Sequence, residues 1–270
     1  MSTDRTVMAC RFCRSETIEL FQLNVLGKFR VRYYECKSCK SLQTERPYWL
    51  PEAYSATLSY LDTGAAQRNL TNAAAVALVA WLTRCKNLLD FGGGDGLLCR
   101  LLRDYGLNCF VRDKFARASY SQGFREPDFE KPDLLLAFEV FEHFAEPSVE
   151  LAGIFAENPP IVVATTEEYS GQGRDWWYLT PASGQHVFFY SRKALLDVAD
   201  RFGYSVHFLN KYIVYSKTER ISRTTTTLLH LALGRAPLRI VRAVLLAGAA
   251  RGVARDFELL QRRSPKDNGQ

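Results

Sequence analysis

Residues 87–105 constrain this chain more than any other stretch. Asn87-Leu88-Leu89-Asp90-Phe91 is an apolar run of strand length, Gly92-Gly93-Gly94-Asp95-Gly96 interrupts it, and Leu97 to Tyr105 continues with helical spacing. Glycine is needed where a chain turns sharply or lets a ligand approach its backbone with no Cβ in the way. The pattern D-x-G-x-G-x-G over residues 90–96 therefore predicts a ligand-cradling turn between a buried strand and a helix. The G-x-G-x-x-G dinucleotide fingerprint would place its third glycine at Leu97 and is not met. Asp113, seventeen residues after Gly96, ends the next apolar run, Asn108 to Val111, where a carboxylate can accept both hydroxyls of a ribose.

The rest of the chain repeats this rhythm. Asp133 to Phe138 and Ile161 to Ala164 are further short strands, with helical or loop sequence between them. Trp49 to Arg84 reads as helical, with an alanine-rich stretch from Ala73 to Leu82. Lys193 to Phe202 is a helix that stops at Gly203, and Tyr204 to Tyr215 supplies antiparallel strands to close the sheet. Strands alternating with helices predict an α/β fold with a mostly parallel sheet covered on both faces. With 270 residues, 47% hydrophobic and 24% charged, the chain can bury a full core, which excludes disordered, collagenous and coiled-coil classes. No clear strand is legible between Phe115 and Pro132.

Cysteine usage marks a second element. Cys10-x2-Cys13 and Cys36-x2-Cys39 are two knuckles 22 residues apart, joined by the β-prone runs Ile18 to Phe21 and Phe29 to Tyr34. Each CxxC presents two thiolates on one turn, and two such turns brought together by a hairpin offer four soft ligands to a tetrahedral Zn²⁺. With every position taken by protein, such a zinc is structural, since a catalytic zinc keeps one position open. Two unrelated redox pairs are the alternative. Cys85, Cys99 and Cys109 sit in apolar surroundings and read as core. Free thiols, no apolar signal segment in MSTDRTVMACRFC and no run of about 20 apolar residues place the expected protein in the cytoplasm.

Strand, glycine turn, helix, strand and acid in this order resemble the class I S-adenosylmethionine-dependent methyltransferases over roughly residues 70–216. The resemblance implies a Rossmann-like sheet in which Asp90, Gly92, Gly94 and Gly96 form the cofactor turn, Asp113 binds the ribose and Phe138, ending the fourth strand, joins the cofactor contacts. Phe115 and Phe124 are the candidate adenine walls, with a core role as the alternative for each. Glu142 and His143, in Glu139-Val140-Phe141-Glu142-His143-Phe144, would border the methyl group or the acceptor, or else cap the following helix. Asp62-Thr63-Gly64, Arg68-Asn69, Trp176-Trp177-Tyr178 and Gly184-Gln185-His186-Val187-Phe188-Phe189-Tyr190-Ser191 resemble zinc-bearing bacterial methyltransferases of carbohydrate and secondary-metabolite pathways. Those with a sugar C-methylating activity carry a larger C-terminal domain than the roughly 50 residues present here.

The expected organisation is a zinc-ribbon-like β module over 1–46, a helical connector over 47–84, a methyltransferase domain over 85–216 and a basic helical tail over 217–270. Proton removal from a hydroxyl acceptor calls for a base, and among four histidines His186 is the first candidate and His143 the second, each weighed against a structural role. Glu168 and Tyr178 could assist by hydrogen bonding, and Trp176 with Trp177 could stack on a sugar or aromatic acceptor or simply pack. The acceptor is expected to be a small molecule or carbohydrate. RNA methylation is the alternative, since residues 1–46 hold nine Lys and Arg against five acids, interleaved with Phe12, Phe21, Phe29, Tyr33 and Tyr34. A cofactor-binding scaffold without catalysis is the third reading. The net charge of +6 comes entirely from residues 221–270, where nine Lys and Arg face three acids. In this tail, with helices expected to break near Pro237, Leu238, Val241 and Leu245 either pack on the core or lie at an anionic membrane surface.

Overall fold

A computed structural model describes residues 8–55, 63–217, 220–248 and 250–263. Asp62, from the Asp62-Thr63-Gly64 element, lies outside the described residues. The chain forms an α/β fold with two sheets. The four-stranded sheet has the order β1 (Thr17–Val25), β2 (Phe29–Cys36), β3 (Leu42–Thr44) and β8 (Phe188–Phe189). The six-stranded sheet is built from β4 (Asn87–Phe91), β5 (Asn108–Arg112), β6 (Leu134–Phe138), β7 (Ile161–Thr165), β9 (Ser205–Leu209) and β10 (Tyr212–Ser216), in the order β5-β4-β6-β7-β10-β9. β4 pairs in parallel with both β5 and β6, and β9 pairs antiparallel with β10. Strands β6 and β7 are apolar runs with almost no exposed residue, as parallel strands covered on both faces must be.

By compactness the chain divides into two units. The first comprises Met1–Asp62, Ala137–Asn158 and Ala164–Lys217. Its antiparallel sheet packs Val31, Tyr33, Leu42 and Phe189 together with Trp49, Tyr178, Leu179 and Val187. Of the aromatic residues of the cysteine-bearing hairpin, Tyr33 belongs to this core, Phe21 and Phe29 pack against it, and Phe12 and Tyr34 are buried as well. The 184–191 element, marked in the sequence by its resemblance to zinc-bearing methyltransferases, supplies a strand to this sheet. Phe188 and Phe189 form β8, pairing with Gln43 and Leu42. Helices α1 (Leu50–Ser55), α4 (Pro147–Ala156) and α5 (Arg192–Phe202) complete the unit. α5 begins at Ser191, whose hydroxyl accepts from the Ala194 amide, and ends at Gly203 in the left-handed conformation.

The second unit comprises Thr63–Leu136, Pro159–Val163 and Thr218–Gln270. It holds β4, β5, α2 (Ala65–Thr83), α3 (Leu97–Asp104) and the tail helices α6 (Arg223–Ala232), α7 (Arg235–Gly248) and α8 (Ala250–Arg263). The stretch from Phe115 to Pro132 contains only a 3-10 turn, Gln122–Phe124, and no strand. The helix break expected near Pro237 falls at Leu233 and Gly234, and Pro237 itself lies in the first turn of α7. A proline there removes an amide that no helical carbonyl would have accepted.

The tail packs on α2 and α3. Leu229, Leu233 and Leu238 are buried, while Ile240 and Val244 remain exposed on the outer side. Asp256 on α8 is the polar anchor: its carboxylate receives Arg103 Nε at 2.7 Å and Nη2 at 2.9 Å, and Arg100 Nη2 at 2.7 Å. The Arg103 guanidinium lies 3.6 Å from the ring centre of Phe124. Gly252 permits this approach, since a Cβ there would stand 2.2 Å from the Arg103 carbonyl oxygen. Among the described residues no helix is long and apolar enough to cross a membrane.

Removing one partner of a buried ion pair leaves an uncompensated charge, which costs about 3–5 kcal/mol. Asp256→Ala is therefore expected to lower unfolding stability by about 3 kcal/mol or more in urea titrations. A variant with the wild-type midpoint and slope would show that Asp256 does not anchor the tail.

Candidate functional site

The glycine turn of the second unit takes a backbone conformation that glycine adopts freely and other residues do not. Gly92, Gly94 and Gly96 have φ of 69°, 55° and 77°, in the left-handed region. Gly93 is needed for space: a Cβ there would lie 2.3 Å from Asp90 Oδ2. The turn is closed by the Gly96 amide on the Gly93 carbonyl at 2.9 Å and tied to β5 by the Gly92 amide on the Arg112 carbonyl at 2.8 Å.

Asp113 follows β5 directly and holds the turn from the other side. Its Oδ2 accepts from the Gly94 amide at 2.9 Å, and its Oδ1 accepts from the amides of Phe115 and Ala116, both at 2.7 Å. A carboxylate offers about four lone-pair positions, so these three amides leave capacity for a hydroxyl. An open depression of about 800 Å³ adjoins it, lined by Val111, Arg112, Gln122, Gly123 and Arg125 among others.

Asp90 is buried, and its Oδ2 has no hydrogen-bond partner. Burial, then the charge of Asp113, pushes its carboxyl up to about 7. Of the two candidate adenine walls, Phe124 is 1% exposed beneath the Arg103 guanidinium and takes the core alternative. Phe115 is 63% exposed beside Asp113. Phe138 belongs to the first unit, where its ring packs edge-on to Tyr212 with centres 6.1 Å apart.

The first unit gathers the candidate catalytic residues. Glu142 and His143 lie in a 3-10 turn, Phe141–His143, ahead of α4, and neither caps that helix, whose N-cap is Glu146. Glu142 is fully buried; Tyr178 donates its hydroxyl to Oε1 at 2.6 Å, while Oε2 has no partner. His186 Nδ1 lies 2.8 Å from the Tyr178 carbonyl oxygen, so Nδ1 carries the hydrogen and Nε2 the lone pair. His143 Nδ1 is 3.2 Å from the Tyr54 hydroxyl, and the two imidazoles meet edge-to-face with centres 4.9 Å apart. Burial pushes the Glu142 carboxyl up to about 8, with the Glu139 charge adding to it. Burial, then His186, lowers His143 to about 3, and burial lowers His186 as well. Both imidazoles are therefore neutral near pH 7, and His186 Nε2 can take up a proton.

Glu139 is the residue the sequence reading passed over. It adopts a left-handed φ of 52° just after β6, accepts from the Thr165 hydroxyl at 2.8 Å and lies 3.2 Å from the Tyr178 hydroxyl. Its spacing from Glu142 and His143, E-x-x-E-H, was the available signal. The proposed helpers divide: Tyr178 is central, whereas Glu168 pairs with Arg192 at 2.8 Å. Trp176 packs among Tyr169, Tyr178 and Phe189, while Trp177 is 69% exposed.

The four cysteines of the knuckles converge, with all Sγ atoms within 4.8 Å of one another. Cys10 and Cys39 are 3.7 Å apart, and Cys13 and Cys36 are 3.4 Å apart. Tetrahedral coordination with bonds of about 2.3 Å sets ligand sulfurs about 3.8 Å apart, so the donor set fits a zinc ion. The knuckles match each other: the Arg14 amide bonds the Cys10 carbonyl, the Lys40 amide the Cys36 carbonyl, and Arg14 and Lys40 both have positive φ, 66° and 62°. Arg11, between the first two cysteines, is buried; it donates to the carbonyl oxygens of Ala145 at 2.8 Å and of Val187.

Asp90 yields a pH prediction. In the unfolded chain its carboxyl ionises near 4, whereas in the fold it holds its proton to about 7. The folded state binds more protons across that window, so this group's contribution to stability is lost as pH rises from about 4 to about 7. Asp90→Asn should remove that loss. Relative to wild type the variant should gain stability between about pH 5 and pH 8 by up to roughly 4 kcal/mol. Parallel pH profiles in denaturant titrations would rule this out.

Comparison with known proteins gives one family and a set of solved structures with partial likeness. The family described as a methyltransferase domain matches residues 55–208. Among solved structures, the methyltransferase domain of bacterial CtHen1 is 19% identical, with 55% of this chain and 98% of that chain covered and a TM-score of 0.41. An O-methyltransferase family protein from Burkholderia thailandensis is 12% identical, covering 68% and 66%, with a TM-score of 0.47. The 1,6-didemethyltoxoflavin-N1-methyltransferase of the same organism, solved with 1,6-didemethyltoxoflavin and S-adenosylhomocysteine, is 16% identical, covering 70% and 96%, with a TM-score of 0.47. No curated protein matches. With more than half of its length matched, and with a glycine turn tied to the acid after β5, the chain belongs to the methyltransferase-domain family.

Proposed function

We propose that this protein is a cytoplasmic S-adenosylmethionine-dependent methyltransferase acting on a small molecule, a sugar or other glycan-pathway acceptor, with a structural zinc in its N-terminal module. The observation that carries the cofactor reading is the Asp113 carboxylate on the Gly94 amide at 2.9 Å. It presents an acid and a Cβ-free backbone together, the combination a ribose and the methionine portion of the cofactor need. Asp90, Gly92, Gly94, Gly96 and Asp113 would hold S-adenosylmethionine, with Phe115 as a further contact. When bound, this cofactor supplies an electrophilic methyl group.

The chain's own residues handle the acceptor. His186 keeps a lone pair on Nε2 because its Nδ1 hydrogen is engaged by the Tyr178 carbonyl, which suits it to take the proton from an acceptor hydroxyl. Tyr178 holds Glu142 by its hydroxyl, and His143 packs on His186, so both serve to position the base. The exposed Trp177 offers an indole face to a sugar ring. The small-molecule reading is favoured over RNA because Phe12, Tyr33 and Tyr34 are buried and leave no stacking platform among these three rings.

The domain boundaries proposed on this reading are 1–46 for the zinc module, 47–84 for the connector, 85–216 for the methyltransferase domain and 217–270 for the tail. The tail's basic residues and its exposed Ile240 and Val244 support contact with a partner or an anionic membrane surface.

Calorimetric titration with S-adenosylmethionine tests the cofactor assignment. Wild type should bind one equivalent, and Asp113→Ala should weaken binding at least about tenfold, since it removes a charged partner of the sugar and the brace of the turn. No binding by wild type would eliminate the enzyme readings together. Elemental analysis tests the zinc: the four cysteines should retain one zinc per chain, and Cys36→Ser should lose it and destabilise the four-stranded sheet. A metal-free wild-type chain with an intact fold would refute the structural role.

A further inference from the structure

Glu142, His143 and His186 form a second group of metal-type ligands besides the four cysteines. One donor atom from each lies within 4.8 Å of the others. Two independent features of the cluster point to a ligand. The first is Glu142 Oε2, which is completely buried and has no hydrogen-bond partner, although Oε1 of the same carboxylate is held at 2.6 Å by Tyr178. A buried acceptor left open is costly unless something fills it. The second is the tautomer of His186. Its Nδ1 donates to the Tyr178 carbonyl oxygen at 2.8 Å, which turns Nε2 outward as a lone pair in the arrangement typical of metal-ligating histidines.

Tyr178 thus orients both ligands, the carboxylate through its hydroxyl and the imidazole through its carbonyl. Its single phenolic hydrogen cannot also satisfy Glu139 Oε2, 3.2 Å away. Thr165 satisfies the other oxygen of Glu139, so Glu142 Oε2 is the buried acceptor of this cluster left open. Glu142 is buried, but His143 and His186 are only partly so, which leaves solvent an approach to the imidazoles.

We propose that Glu142, His143 and His186 bind a divalent transition-metal ion, with Tyr178 as the positioning residue. Two imidazoles and one carboxylate suit Mn²⁺, Fe²⁺, Co²⁺ or Zn²⁺, whereas an all-oxygen set would suit Mg²⁺ or Ca²⁺. Three protein ligands leave coordination positions open, unlike the closed four-cysteine set. This inference rests on the methyltransferase reading for its purpose: an acceptor hydroxyl bound at an open position would lose its proton to solvent more readily, because the cation lowers its pKa, and His186, with Nε2 engaged as a ligand, would act through the metal instead of as the base. It selects hydroxyl acceptors over amines or carbon nucleophiles.

Metal binding can be measured with neither cofactor nor acceptor present, which separates failure of this site from failure of the methyltransferase reading. The full-length chain, with its cysteine site loaded with zinc, is titrated with Mn²⁺ and the loss of the free-ion EPR signal is followed. Thiolates compete poorly for this ion. Wild type is expected to bind one Mn²⁺ per chain, Glu142→Gln and His186→Ala to bind it at least about tenfold more weakly, and Tyr178→Phe about tenfold more weakly. Near-ultraviolet circular dichroism identifies any variant that fails to fold, and wild-type stoichiometry then decides alone. A wild-type chain that takes up no second equivalent of Mn²⁺, Co²⁺ or Zn²⁺ overturns the proposal, as does equal binding by folded Glu142→Gln and His186→Ala chains.

Discussion

The pairing of β3 with β8 is the interaction on which the first unit depends. A hairpin with two CxxC turns is too small to bury a core of its own and needs a staple, a further strand or both. Leu42 and Gln43 obtain that strand from Phe189 and Phe188, about 145 residues further along the chain. The junction is reinforced by buried polar contacts: Arg11 reaches the Val187 carbonyl, and the Ser191 hydroxyl donates to the Cys39 carbonyl. Once residues 187–191 are held in the sheet, His186 is held beside Tyr178, and the Val187 amide closes on the Glu142 carbonyl at 2.8 Å. The cysteine module is thus part of the same packing unit as the histidines and also orders them.

Three buried carboxylates illustrate how pairing separates scaffold from site. Asp256 receives both oxygens' worth of guanidinium donors from Arg103 and Arg100, so it is held as an anion and fastens α8 to α3. Asp90 and Glu142 each keep one oxygen without a partner, and burial pushes both carboxyls up toward neutrality. A fully satisfied buried charge stabilises one arrangement, and a half-satisfied one is a place where a proton, a ligand or a cation changes the energy most. Asp90 lies in the glycine turn and Glu142 beside the histidines, the two regions that the sequence marked as candidates for function.

Backbone strain follows the same division. Gly92, Gly94 and Gly96 take positive φ at no steric cost, and any side chain there would incur one. Glu139 takes positive φ without being glycine, and its amide and carboxylate are both tied to Thr165. Strain of this kind persists only where surrounding contacts over-determine it. The Thr165 contacts supply that restraint and aim Glu139 Oε2 toward the Tyr178 hydroxyl.

Local chemistry was legible in the sequence wherever one short segment carries the whole constraint. The glycine turn, the placement of Asp113, the apolar strands and the two cysteine knuckles are of this kind, because a positive φ, a buried run or a CxxC turn is decided by neighbouring residues. The tertiary structure decided everything that depends on distant partners. It set Phe124 beneath Arg103 instead of beside a ligand, fixed the helix break at Leu233 and Gly234, and made residues 188–189 a strand of the N-terminal sheet. It also showed Glu139 to be a member of the Glu142 and Tyr178 cluster, which no periodicity could announce. The physical reason is common to all four. Burial and hydrogen-bond satisfaction are properties of surroundings assembled from far-separated segments, whereas turn conformation and strand hydrophobicity are properties of the segment itself.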